Sequence, residues 1–307
     1  MKHGWNRDTR RHFMNYFMSG AALVCVIIAL IPLGSILWTV IEKGGPVLNY
    51  GFITGAEVAP CNTNSQANCH IGGIGPAVEG TFVMLGMACL IAIPAGIAAG
   101  IFLAEYGRGR VSRTISFLMD VMSGVPSIVV GLFIFSALFY YDAANRLHIF
   151  SAYAGALALA VIMLPIVTRT SEEALRTVPN GIREAAWALG IPHHRAVRKI
   201  VLRSAGGSLI TGALLAVARA GGETAPLLLV AGNSQFFIPC PPGQNLVSCL
   251  DNPVGALGPL IYSWGSSPYS NQIAGAWGAA LFFVLIMLAI SVTARLILYR
   301  RTQKMGM

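Results

Sequence analysis

Two opposite charges, Arg219 and Glu223, stand inside a 27-residue stretch, Ser204 to Val230, with no other acidic or basic residue. If that stretch crosses a bilayer, each charge costs about 2.5–3.5 kcal/mol at the membrane centre and must earn its place. Spacing i, i+4 puts both on one helix face, within pairing reach. Gly221-Gly222 lies between them and Pro226 just after, so the helix is weakened there. Interrupted helices near the midplane are where membrane carriers build binding sites. A structural ion pair inside a helix bundle is the plainer reading; the Gly-Gly and Pro favour a substrate site. The guanidinium offers a planar fork of donors suited to a tetrahedral oxyanion. Near neutral pH phosphate keeps a proton that a carboxylate can accept in a hydrogen bond, whereas sulfate has none. Arg169 and Glu172, one helical turn apart, could supply a second donor and its holder; positive-inside anchoring is the ordinary alternative for Arg169.

The elements that would position these side chains follow from composition. The 307-residue chain is 55% apolar and only 11% charged, with a mean hydropathy of +0.66. Soluble domains run near a quarter charged. These values exclude a cytosolic enzyme, a disordered chain and a nucleic-acid binder, and they fit a bilayer. Charge-free gaps run from Arg11 to Glu42, Gly80 to Ala104, Val121 to Tyr141, Leu147 to Thr168 and Asn252 to Ala294. Each is long enough for the roughly 20 residues a span requires. The last helix is expected to begin near Gln272, after a polar loop. With Ser204–Val230 this makes an all-α integral membrane protein of six transmembrane helices.

Orientation comes from Lys and Arg near the helix ends. With the N-terminus inside, 18 of the 21 basic residues fall on the inner side and only Lys43 and Arg146 outside, with Arg219 in the membrane. Both termini are therefore expected in the cytoplasm, and the net charge of +9 is a topology signal. The first apolar stretch is too long for a signal-peptide core and has no A-x-A site after it. Cys61 and Cys69 share the first outer loop, and Cys240 and Cys249 the third. Outer loops face an oxidising space, so two local disulfides are expected there. A metal site is disfavoured, because His70 is the only nearby ligand and neither pair has C-x-x-C spacing. Cys25 and Cys89 lie inside spans as packing residues.

Between the spans, residues 105–120 read as a short basic inner loop and residues 231–271 as an irregular outer loop with a short helix. The inner loop at 169–203 is different. Ile182, Ala185, Ala186 and Leu189 follow i, i+3, i+4, i+7 spacing, with Trp187 adjoining, and Gly190 before Pro192 is a stop. A short amphipathic helix is expected at about 180–189. Lipid-surface helices carry several cations on the polar face. This one has only Arg183, read here as paired with Glu184, so a protein-docking helix is favoured.

Glu184-Ala185-Ala186, then after three intervening residues Gly190, and after nine more Ile200-Val-Leu202, resemble the EAA signature of type I ABC importer permeases, although Arg203 stands where that signature usually ends in Pro. Five further stretches resemble the permease subunits of phosphate-specific ABC importers. They are Leu103-Ala-Glu-Tyr-Gly107, Pro126-Ser-Ile-Val-Val-Gly131, Pro165-Ile-Val-Thr-Arg169, Arg183 through Gly190, and Ala218 through Leu227. The resemblance implies the MetI-like fold and a coupling helix that sits in a cleft of a cytoplasmic ATPase. It implies phosphate as the substrate, since Arg169, Glu172, Arg219 and Glu223 occupy charged positions of the pattern. It also implies three partners: a second permease subunit, an ATPase subunit dimer and a periplasmic phosphate-binding protein. Three parts are expected: a cytoplasmic N-terminus, first helix and first periplasmic loop at 1–75, a permease core at 76–299 with the coupling loop at 169–203, and a cytoplasmic tail at 300–307. No cofactor is called for.

Other classes lack their motifs. Neither H-E-x-x-H nor G-x-S-x-G occurs. A P-loop needs Lys followed by Ser or Thr, whereas Lys2, Lys43, Lys199 and Lys304 precede His, Gly, Ile and Met. A passive channel has no need of a docking helix. A permease for another oxyanion, sulfate or molybdate, is left open by spacing alone.

Overall fold

The computed structural model describes residues 5–61, 70–145, 150–238, 240 and 245–304. Cys69, Arg146, most of the first outer loop and the chain ends lie outside them. Among the described residues there is no β-strand, only one isolated bridge between Gly232 and Val254. The principal helices are α1 (Trp5–Gly44), α2 (Gly75–Ile101), α3 (Arg110–Gly124), α4 (Ser127–Asn145), α5 (Ala152–Arg176), α6 (Asn180–Ala188), α7 (Gly206–Gly221), α8 (Ala225–Val230), α9 (Leu257–Gly265) and α10 (Ser270–Lys304). A π-helical turn, Phe102–Tyr106, prolongs α2.

Four described helices are long and apolar enough to cross a membrane. Two bent pairs are apolar enough when taken together: α3 with α4, at 105°, and the helical run His193–Ser204 with α7, at 69°. The number of crossings is thus four, or up to the six expected from the charge gaps when each bent pair counts as one. The 105° bend has a local cause. Val125-Pro126 removes an amide donor and forces extended backbone, with Val125 at φ −71°, ψ 129°. One expectation is corrected here. Residues 110–120 are helix, not loop, because Val111, Leu118 and Met119 make an apolar stripe beside Arg110 and Arg113. The last helix starts at Ser270, close to the expected Gln272.

The centre of the fold is the α2–α5 contact. Every fourth residue of α2 faces it: Met84, Ala88, Ala92, Gly96 and Gly100. Opposite stand Leu159, Met163, Val167, Ser171 and Leu175, also every fourth and all buried. This is ridge-into-groove packing along i±4 rows. The α2 row shrinks along its length, so the helices converge. A Cβ on Gly96 would lie 2.7 Å from the Val167 Cβ, and one on Gly100 2.6 Å from the Ser171 Cβ. Small residues permitting such approach are the usual basis of helix association in lipid. By contrast α1 packs along α10 and leaves Leu23, Ile28, Ile31 and Ile36 exposed, a surface suited to lipid.

Two buried polar groups fix the loops at the end where α2 begins. Thr81 Oγ1 accepts from Leu257 N at 2.9 Å, holding the start of α9. Asn271 Oδ1 accepts from Cys61 N at 3.0 Å and its Nδ2 donates to His70 O at 3.2 Å, tying the first outer loop to α10. In that loop burial pushes the Glu57 carboxyl up to about 7, partly offset by a hydrogen bond with Trp264.

Candidate translocation site and coupling loop

The break beside Arg219 is real and falls where the Gly pair predicts it. Helix α7 ends at Gly221, and α8 restarts at Ala225 with Pro226 in its first turn. Glu223 therefore lies beyond the helix end rather than on a continuous face with Arg219, a correction to the simple i, i+4 picture. The pair is loose: Arg219 Nε is 3.8 Å from Glu223 Oε1, with side-chain exposures of 60% and 14%. Arg219 borders a cavity of about 320 Å³ with Ser123, Val129, Phe133, Ile162 and Pro165, and it is the one charge in that lining. An arginine this exposed, beside an apolar cavity, has donors to spare.

Arg219 also heads a polar face. Ser208, Thr211, Leu215 and Arg219 recur every three or four residues along α7, and all four are exposed. A second cavity of about 630 Å³ opens beside that face, lined by Thr170, Thr177, Arg203, Ser208 and Thr211. Hydroxyls and arginines turned to hydrocarbon would be costly. This face instead suits a water-filled path or another polar surface.

Arg169 and Glu172 are brought together, but in a separate network. Arg169 Nη1 donates to Glu172 Oε2 at 2.8 Å, and Nη2 donates to Ser116 O at 2.9 Å and to Asp120 Oδ1. Glu172 is buried and also pairs with Arg176 at 2.7 Å. The network fastens α3 to α5. It lies one turn along α5 from Ile166, which lines the Arg219 cavity, and Arg169 keeps 29% of its side chain exposed. Asp120 and Arg176 were not singled out from sequence. Asp120 was visible only as the boundary of a charge gap, 49 residues from its partner.

The loop at 169–203 carries α6 where the periodicity places it. Its end is a Schellman motif: Gly190 N donates to Trp187 O at 2.9 Å and Ile191 N to Ala186 O at 3.1 Å. Gly190 takes φ +73°, which a side chain disfavours. The apolar face is divided. Ala186 is 3% exposed and faces the bundle, whereas Leu189 is 79% and Trp187 51% exposed, and Glu184 and Ala185 also point outward. Arg183 does not pair with Glu184. Its Nη2 donates to Glu105 Oε1 at 2.6 Å, across 78 residues of chain.

Cys240 and Cys249 form a disulfide, with Cα atoms 5.2 Å apart. Cys61 is also disulfide-bonded, while Cys69 lies outside the described residues. Cys25 and Cys89 are free thiols.

A bundle of long apolar helices, with a broken, charge-bearing helix and a short amphipathic helix between spans, is the architecture of importer permeases. The model of the family "Binding-protein-dependent transport system inner membrane component" matches residues 96–305. Two solved ABC transporters share the fold. A chain of the MetNI methionine transporter, in inward-facing form, aligns with TM-score 0.57 over 73% of this chain and 95% of that one, at 19% identity. A chain of the bacterial alginate transporter aligns with TM-score 0.62 over 95% and 96%, at 12% identity. Closer in sequence is the phosphate transport system permease protein PstA of Haemophilus influenzae, 38% identical over 92% of this chain and 93% of that protein. PstA of Xylella fastidiosa is 37% identical over 95% and 94%, and PstA 1 of Mycobacterium tuberculosis 36% over 96% and 92%. The chain belongs to this permease family, in its PstA group. It is a multi-pass integral membrane protein with the type I importer permease fold, the membrane component of a binding-protein-dependent transport system.

Proposed function

We propose that this chain is the permease subunit of an ATP-driven importer of inorganic phosphate and forms half of the translocation pathway. Arg219 contacts the anion and Glu223 tunes the site; Arg169, held by Glu172, is a second cationic position along the path. The observation that carries this reading is the loose Arg219–Glu223 pair at the α7 break, where 60% of the arginine side chain is exposed beside a cavity. At rest Glu223 partly satisfies the guanidinium. A phosphate dianion offers more charge and bidentate geometry, so exchange of partners admits the anion without leaving a bare charge. The names of the relatives support phosphate as the cargo. The polar face of α7, open in the single chain, supports completion by a second, PstC-like permease subunit.

Energy is supplied by a PstB-like ATPase subunit dimer, since no lysine here precedes Ser or Thr, and phosphate is delivered by a periplasmic PstS-like binding protein. The α6 surface of Glu184, Ala185 and Gly190, with Ala186 packed beneath, docks on the ATPase. The protein sits in the bacterial inner membrane with both termini cytoplasmic, and its parts are the first helix and loop at 1–75, the permease core at 76–299 and the tail at 300–307. Co-expressing the four subunits, reconstituting them in vesicles and following labelled phosphate tests the reading. Uptake that needs ATP and is not displaced by excess sulfate or molybdate is expected. Uptake of sulfate in preference to phosphate, or uptake without ATP, would overturn it.

A further inference from the structure

Both ends of α6 are fastened to one turn of α2. At its start, Arg183 makes a forked contact with Glu105: Nη2 lies 2.6 Å from Oε1, and Nε lies 3.2 Å and 3.3 Å from the two carboxylate oxygens. The remaining donors go to Val178 O at 2.6 Å and Leu175 O at 2.8 Å, the carbonyls where α5 ends. The pair is largely buried, with side-chain exposures of 13% for Arg183 and 3% for Glu105, at the wall of an open cavity of about 360 Å³. Just past α6, the His193 ring meets Tyr106 edge-on at 5.0 Å and Trp187 at 6.1 Å. Glu105 and Tyr106 are consecutive residues of the π-helical turn Phe102–Tyr106.

A largely buried ion pair adds little net stability over an apolar contact of the same shape, because two charges must be desolvated. What it does supply is a fixed direction and distance. We propose that Glu105 and Arg183 are the positioning pair of the transport cycle: they make α6 and the adjoining end of α2 one rigid unit. A displacement imposed on α6 is then delivered to α2. It passes from there to α5 through the close contacts at Gly96 and Gly100. α6 follows α5 across a short extended turn at Val178-Pro179, where Ile182 and Arg183 also touch the end of α5; the Glu105 carboxylate is what extends this anchorage to α2. This proposal rests on the reading that α6 docks on the ATPase.

The test uses the complete importer in vesicles, with phosphate uptake and ATP hydrolysis measured on the same sample. Glu105→Gln should lower phosphate moved per ATP at least tenfold in an importer whose four subunits still co-purify. Glu105→Asp should recover part of that ratio. The double variant Glu105→Cys with Arg183→Cys should have a low ratio that rises several-fold after a short bifunctional thiol reagent bridges the two positions. A ratio unchanged in Glu105→Gln would overturn the joint. If that variant does not assemble, the cysteine pair decides, and a bridged sample that hydrolyses ATP with no gain in uptake overturns it. Unaltered vesicles that hydrolyse ATP without importing phosphate would instead refute the functional reading.

Discussion

Arg219, in the last turn of α7, and Glu223, in the break before α8, face each other at 3.8 Å, too far for a hydrogen bond and too near to ignore each other's charge. A tight pair would be a strut. A loose pair at a broken helix, with the arginine exposed, is poised to exchange partners. Arg219→Lys keeps the charge and loses the fork. Phosphate uptake should fall about tenfold to a hundredfold, with protein level in the membrane unchanged. Initial rates of labelled phosphate entry check this.

The Glu172 carboxylate sits between Arg169 and Arg176, buried on α5. Glu172→Ala leaves Arg169 with Asp120 as its one acidic partner beside Ser116 O and should cost about 2–3 kcal/mol of stability, after allowance for the partly exposed partners. Arg176 is 64% exposed, so Arg176→Ala should cost less than about 1 kcal/mol. Thermal unfolding in detergent, followed by loss of monodisperse protein, ranks the two.

Gly190 ends α6 at φ +73° with nothing within 4 Å of a Cβ built on it, so the penalty of substitution is in the backbone, not in space. Gly190→Val should abolish uptake while leaving the protein in the membrane. Gly190→Asn, whose side chain tolerates the left-handed region, should retain a substantial part. Comparing the two in one uptake assay separates backbone strain from loss of contact.

The spans were legible because charge is excluded from them, and α6 because apolar periodicity and a Gly stop mark a helix regardless of context. The α3 helix was not, since its Arg110 and Arg113 read as loop charges until Val111, Leu118 and Met119 are seen as one stripe. The Glu105–Arg183 and Asp120–Arg169 pairs were invisible for a different reason. Their partners are 78 and 49 residues apart, and only the packing of α2 and α3 on α5 brings them together. Local reasoning gave Arg183 its neighbour Glu184 instead. Arg219 and Glu223 stood out because a charge in a span is expensive, a rule that needs no tertiary structure.

Burial raises the Glu57 carboxyl to about 7 in the folded protein from an ordinary 4.5. The folded state therefore holds a proton that the unfolded state has released between those values. Stability from this group is full below about pH 4.5, falls as pH rises toward 7 and is level above it. Glu57→Gln should flatten that slope, which thermal unfolding between pH 5 and 8 measures.

Cys240 and Cys249 close a loop with a sequence separation of 9, for which chain entropy suggests about 2–3 kcal/mol of stabilisation. Without reductant they should resist alkylation, while Cys25, exposed on α1, reacts once detergent replaces lipid. Reductant should lower the unfolding temperature of the unaltered protein but not that of a Cys240→Ser, Cys249→Ser variant beyond the contribution of Cys61.

Arg219 and Glu223 are proposed to handle the transported anion. Replacing both with Gln removes the ion pair without leaving a lone charge in the membrane, so the fold is spared. ATP-driven phosphate uptake by vesicles holding the assembled importer with Arg219→Gln and Glu223→Gln measures the claim directly. Uptake reduced at least a hundredfold, with assembly intact, is the expected result; uptake at the unaltered rate would show that the pair is only a structural contact.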